Sequence, residues 1–165
     1  MPDVETPKER HNRELIELLN ELRVVLPGVQ VLFAFLLAVP LSFRFEKISG
    51  VDRDLFFVTL CCTAVATALL IAPSALHRID FRAIDKGSMV ILSNGLVIAG
   101  LGFVALSMAL ALTFVTDLLY SETAAFVVGA LAVALFGGTW FVLPFRRRRR
   151  KAALERRSDR TAPLV

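Results

Sequence analysis

The chain is 165 residues long, 56% hydrophobic and 21% charged, with a net charge of +4 and two cysteines. Four long apolar stretches use up most of that length and exclude a separate soluble domain of ordinary size. A disulfide framework is excluded as well, because Cys61 and Cys62 are adjacent and their side chains diverge by about 100° on a helix.

Residues 1–11 are polar and are expected to be flexible. From 12 to 26 the apolar positions recur with a helical period: Leu15, Leu18, Leu19, Leu22 and Leu26 share one face, and Arg13, Glu14, Glu17 and Glu21 lie opposite. This predicts a cytoplasmic amphipathic helix. Its polar face is acidic, whereas helices that lie on anionic membrane surfaces are basic, so the leucine face is expected to meet protein. Pro27 and Gly28 follow, where a change of axis direction is expected before the first membrane span.

A bilayer core roughly 30 Å thick needs about 20 consecutive apolar helical residues to cross it. Four segments satisfy this, at 24–43, 55–76, 89–116 and 123–145, and none holds a residue charged at neutral pH. Uninterrupted apolar runs do not alternate as barrel strands must, so the fold class is all-α: a four-helix transmembrane bundle, up-down-up-down, plus the N-terminal amphipathic helix. The membrane domain covers 12–145 and a basic cytoplasmic tail covers 146–165. The first span, with polar residues before it, is expected to serve as its own uncleaved insertion signal.

Small residues four apart let helices approach closely in lipid. Ala64, Ala68 and Ala72, then Gly95 and Ala99, then Ala130, Ala134 and Gly138 form such sets, and each is expected to face another helix or a second copy of the chain. Cys61 and Cys62 are expected to pack as small apolar residues. The third run is longer than one crossing requires, and Asn94-Gly95 is its expected irregular point. Gln30 and Asn94 are the polar amides inside spans, available either for an interhelical hydrogen bond or to line a polar pathway.

Orientation follows from charge. The N-terminal segment, the second connection and the tail together hold 16 of the 19 basic residues. The first connection has Arg44, Lys47 and Arg53 beside Glu46, Asp52 and Asp54, and the third has Asp117 and Glu122 and no basic residue. Positive residues resist translocation, so both termini are expected in the cytoplasm, with the protein in the cell inner (plasma) membrane.

Two charged features carry the binding expectations. In the second connection Arg78, Arg82 and Lys86 recur every four positions, a basic stripe on the same side as Glu14, Glu17 and Glu21. Docking between them competes with a plain positive-inside loop holding local pairs. The tail opens with Arg146, Arg147, Arg148, Arg149, Arg150 and Lys151, which anchor the last span and can attract anionic lipid headgroups. Nucleic acid is not an expected partner, because no aromatic residue or folded module accompanies these charges.

The string from Glu14 to Leu37, with Asp52-Arg53, Ala72-Pro73, His77-Arg78, Phe81-Arg82 and Asp85-Lys86, resembles a family of small actinobacterial four-span membrane proteins of unknown function. The resemblance covers about residues 13–117. It implies no defined activity, although some members of that family carry a sodium:proton antiporter label. Here Gly95 stands after Asn94 where the family would have a basic residue. Coupled proton exchange needs a protonatable group beside the ion path, and the spans offer no mid-membrane Asp, Glu or His. No nucleophile-base pair, metal-ligand spacing or phosphate loop is present either, so neither an enzyme nor a cofactor is expected. The expected function is a structural or accessory membrane protein contacting a partner or anionic lipid through its cytoplasmic face. The alternative is a small transporter or sodium/proton antiporter subunit.

Overall fold

The computed structural model describes residues 6–42, 45, 48–79, 86–147 and 149. The chain forms α1 (Pro7–Ala38), a 3-10 turn (Val39–Leu41), α2 (Gly50–Ile79), α3 (Lys86–Leu119) and α4 (Glu122–Gly137), which runs into a π-helical turn (Gly138–Val142). Four helical segments are long and apolar enough to cross a membrane, at Arg13–Leu41, Gly50–Arg78, Ser88–Leu119 and Glu122–Arg147. The all-α four-helix architecture expected from the hydropathy pattern is the fold.

Helix α1 starts at Pro7, earlier than the leucine period suggested. Thr6 and Glu9 form a capping box: Thr6 Oγ1 accepts from the Glu9 amide at 3.4 Å, and the Glu9 carboxylate accepts from the Thr6 amide at 2.8 Å. These hydrogen bonds from Thr6 hold the Glu9 carboxyl below the usual glutamate range. Pro7 takes the first helical position, where its missing N–H costs nothing.

At the point of the expected change of direction the chain stays helical. Pro27 lies inside α1, and the helix continues unbroken to Ala38. The reason is phase. Leu15, Leu22, Val29 and Leu36 are all buried, a seven-residue repeat that keeps one stripe against the bundle from the polar segment into the span. Pro27 is exposed, off that stripe. Asn94-Gly95 likewise causes no break, since α3 is one helix from Lys86 to Leu119.

The irregular point lies instead at the end of α4. There the Leu143 amide donates to the Gly138 carbonyl, one residue further back than in an α-helix. Pro144 follows immediately; its ring has no N–H and crowds the carbonyl four residues before it, so a locally widened turn accommodates it.

Contacts along the helices set the topology. Leu22 and Val29 of α1 cluster with Ala66 and Leu70 of α2 and Val104 of α3. Further along α1, Leu36 clusters with Phe56 and Phe114, and the Phe56 ring lies 5.7 Å from Phe114 and edge-on to Phe45 at 5.0 Å. Residue numbers therefore rise along α1 as they fall along α2 and rise along α3, an up-down-up order. Gly129 of α4 packs on Thr113, and Gly102 of α3 faces Phe141, so α4 runs down. The α2–α3 interface is the most extensive, α1 lies on both of these helices, and α4 touches only α3 among the described residues. Both chain ends thus leave the bundle at the end where α2 gives way to α3.

Most of the small-residue stripe positions do not face another helix of the same chain. Ala64, Ala68, Ala99, Ala130 and Ala134 are exposed, and an added Cβ at Gly95 or Gly138 would meet open space. In α2 the buried positions are Phe56, Thr59, Cys62, Thr63, Ala66, Leu70 and Pro73, on a different face of the same helix. Close approach falls to Gly100, where an added Cβ would sit 2.9 Å from Leu70 Cγ, and to Gly129 against Thr113. Both faces of a span are apolar, so spacing by four does not by itself select the buried one.

Gly129→Ala is expected to destabilise the protein by about 1 to 3 kcal/mol, because the new methyl displaces the Thr113 side chain. Gly95→Ala, in open space, is expected to be neutral or stabilising by up to about 1 kcal/mol. Reversible unfolding in mixed micelles measures both.

Candidate functional site

Inside the bundle, the polar groups are hydroxyls. Thr59, Thr63 and Thr67 each donate to the carbonyl four residues back, at 2.8 Å in every case. Thr113, Thr116 and Thr139 do the same at 2.9, 2.7 and 2.7 Å. Across the α2–α3 interface the Ser107 hydroxyl hydrogen-bonds the Thr63 hydroxyl and lies 3.3 Å from the Thr59 carbonyl. Thr59, Thr63 and Ser107 are fully buried, and the seam they form joins α2 to α3.

One buried hydroxyl stands apart. Ser93 of α3 is completely buried, and its oxygen has no hydrogen-bond partner among the described residues. Nothing in the residue pattern marks it, since serine in a span normally bonds its own helix. Cys62 is buried and Cys61 exposed, as adjacency on a helix requires. No group of three His, Cys, Asp or Glu side chains able to hold a metal ion occurs among the described residues.

A polar opening lies where both chain ends emerge. Glu14, Glu17, Leu18 and Glu21 of α1 face Val90, Ile91 and Asn94 of α3 across a groove of about 510 Å³. Glu14 accepts from Arg10 at 3.1 Å and Glu17 from Arg13 at 3.1 Å, pairs one turn apart on an exposed helix surface. Such pairs contribute about 0.3 to 0.5 kcal/mol each, so they leave the acidic face available. Glu21 is exposed. The three glutamates therefore gather as the period suggested, and they gather with Asn94.

Of the basic stripe, Arg78 is exposed on the last turn of α2, Lys86 opens α3, and Arg82 lies outside the described residues. Asn94 and Gln30 are both exposed, and neither has a hydrogen-bond partner among the described residues. The interhelical bond weighed for them is not formed; Asn94 lines the groove, and Gln30 faces outward from α1. In the tail, Arg146, Arg147 and Arg149 are exposed, whereas Arg148, Arg150 and Lys151 lie outside the described residues.

The opposite end is acidic. Ser49 accepts from the Asp52 amide at 3.1 Å and donates to the Asp52 carboxylate at 2.8 Å, fixing the start of α2. Asp117, at the end of α3, has Asp52 and Glu122 near by. Sequence reasoning noted these residues only as charges that do not oppose translocation; their meeting depends on the antiparallel register of α2 and α3.

The fold defines an integral membrane protein with four membrane-compatible helices and a polar groove at the end shared by its termini. The chain belongs to the family of unknown function DUF6328, whose model matches residues 4–144. Neither the curated proteins nor the solved structures include a match to it.

Ser93→Ala is expected to be neutral or to stabilise by about 1 kcal/mol, because it removes a buried hydroxyl that has no partner. A loss of stability on unfolding in mixed micelles would mean that Ser93 has a partner in the membrane.

Proposed function

We propose that this protein is a structural or accessory component of the plasma membrane, with both termini in the cytoplasm, that engages a partner or anionic lipid through its cytoplasmic face. The observation that carries the reading is the placement of polar groups. The span threonines and Ser107 use their hydroxyls between and along helices, whereas the open polar surface is the groove of Glu14, Glu17, Glu21 and Asn94 beside the chain ends. The concentration of basic residues on the same connections supports the cytoplasmic assignment of that end.

In this reading the protein is neither an enzyme nor a cofactor carrier. Its acidic groove takes a basic segment, and the nearest in sequence is the stripe of Arg78, Arg82 and Lys86 between α2 and α3. Reversing Glu17 and Glu21 to Lys is expected to lower the yield of folded protein in membranes, and reversing Arg78 and Arg82 to Glu in the same chain is expected to restore it. Absence of any rescue would remove that docking partner.

The alternative, a small transporter or sodium/proton antiporter subunit, has the proximity of Asp52 and Asp117 on its side, because acidic side chains at a span end are groups that a cation path uses. Purified protein in proteoliposomes is expected to give no pH-coupled sodium flux. Robust flux abolished by Asp117→Asn or His77→Ala would overturn the accessory reading.

A further inference from the structure

Beside the π-helical turn, α3 and the end of α4 enclose an apolar crevice of about 190 Å³, lined by Ile98, Leu101, Trp140, Phe141, Pro144 and Phe145. It opens on the side of the bundle. An adjoining recess shares Phe141 and Phe145 with it and ends at Arg146 and Arg149. The two arginines are three apart on a helix, so they present their guanidinium groups on one face. An apolar slot thus leads into a pair of cations at the end of a membrane span.

The local sequence accounts for the shape. Gly102 of α3 has no side chain, and the Phe141 ring lies over it, 3.8 Å from where a Cβ would be. Gly137 and Gly138 leave open space on α4, and the widened turn that follows shifts Trp140 and Phe141 out of α-helical phase. A ligand that fits both halves needs a hydrocarbon chain and an anionic group joined at the depth where a span meets water. The leaflet around the protein supplies that chemistry at high concentration.

We propose that this crevice binds one anionic phospholipid, with a stretch of acyl chain against Trp140, Phe141 and Leu101 and its phosphate between Arg146 and Arg149. Guanidinium groups bind phosphate oxygens in a planar two-point geometry that choline headgroups, with no net charge, exploit less well. The site deepens the lipid half of the proposed function and rests on that half alone, independent of membrane orientation and of any protein partner. It also differs from diffuse attraction to the tail, because Arg147 sits in the same basic run without lining the recess.

Trp140 is the single tryptophan, so its fluorescence reports on the crevice directly. The full chain, in nanodiscs of phosphatidylcholine containing brominated phosphatidylglycerol or brominated phosphatidylcholine at equal mole fraction, is expected to show markedly stronger quenching by the anionic lipid. Arg146→Gln and Arg149→Gln should each reduce that preference by about tenfold, as expected for losing a hydrogen bond between charged groups. Arg147→Gln should leave it nearly unchanged, and Ile98→Phe, which fills the slot at a half-exposed position, should abolish it. Equal quenching by both lipids, or equal losses at all three arginines, would overturn the site; so would loss of quenching on dimerisation, which would make a second copy the occupant. Both leaflets of a nanodisc are alike, so failure here leaves the flux and charge-reversal tests of the proposed function unaffected.

Discussion

Hydrocarbon supplies no hydrogen-bond partners, and the architecture follows from that constraint. Backbone groups must pair within helices, which makes each crossing a single long helix, and α2 and α3 are 30 and 34 residues long. Side-chain hydroxyls are bound by the same rule. Thr59, Thr63, Thr67, Thr113, Thr116 and Thr139 all return their protons to their own helix. The bond between Thr63 and Ser107 is the place where this satisfaction crosses from one helix to another. It lies at the centre of the α2–α3 pair on which the others rest, α1 on both helices and α4 on α3 alone, with α1 and α4 not touching among the described residues.

Apolar burial cannot choose the packed face in such a setting, because lipid receives leucine as readily as a neighbouring helix does. Close fit does the selecting. Gly100 under Leu70 and Gly129 under Thr113 bring backbones together, while Phe56, Phe114 and Phe45 fill the other end of the bundle. In the first half of α1, Leu18 and Leu19 pack against the cluster of Leu22, Val29, Ala66, Leu70 and Val104, while Glu14, Glu17 and Glu21 line the open groove.

This division explains what was legible in the sequence. Span number and fold class were readable, because hydropathy contrasts with charge; the seven-residue repeat of Leu15, Leu22, Val29 and Leu36 was not, because beyond Leu26 α1 is apolar on every face, Gln30 apart. Which stripe of α2 is buried was not readable from alanine spacing, since Ala64 and Ala66 are equally apolar and only one faces α3. The threonines at 59, 63 and 67, with Ser107, were the better signal, polar groups that lipid disfavours. The approach of Asp52 to Asp117 and the crevice at Trp140 depend on interhelical register and on one widened turn, neither of which has a sequence period. The gathering of Glu14, Glu17 and Glu21 was foreseen from α1 alone, yet its neighbour Asn94 became apparent only when α3 was placed beside it.

The central claim is that the hydroxyl contact between Thr63 and Ser107 joins the two helices that carry the rest. A double-mutant cycle with Thr63→Val and Ser107→Ala, read by reversible unfolding in mixed micelles, tests it most directly. The account predicts a coupling energy of about 0.6 to 2 kcal/mol, the range for interhelical hydrogen bonds in membranes. Additive effects of the two substitutions, with no coupling, would contradict it.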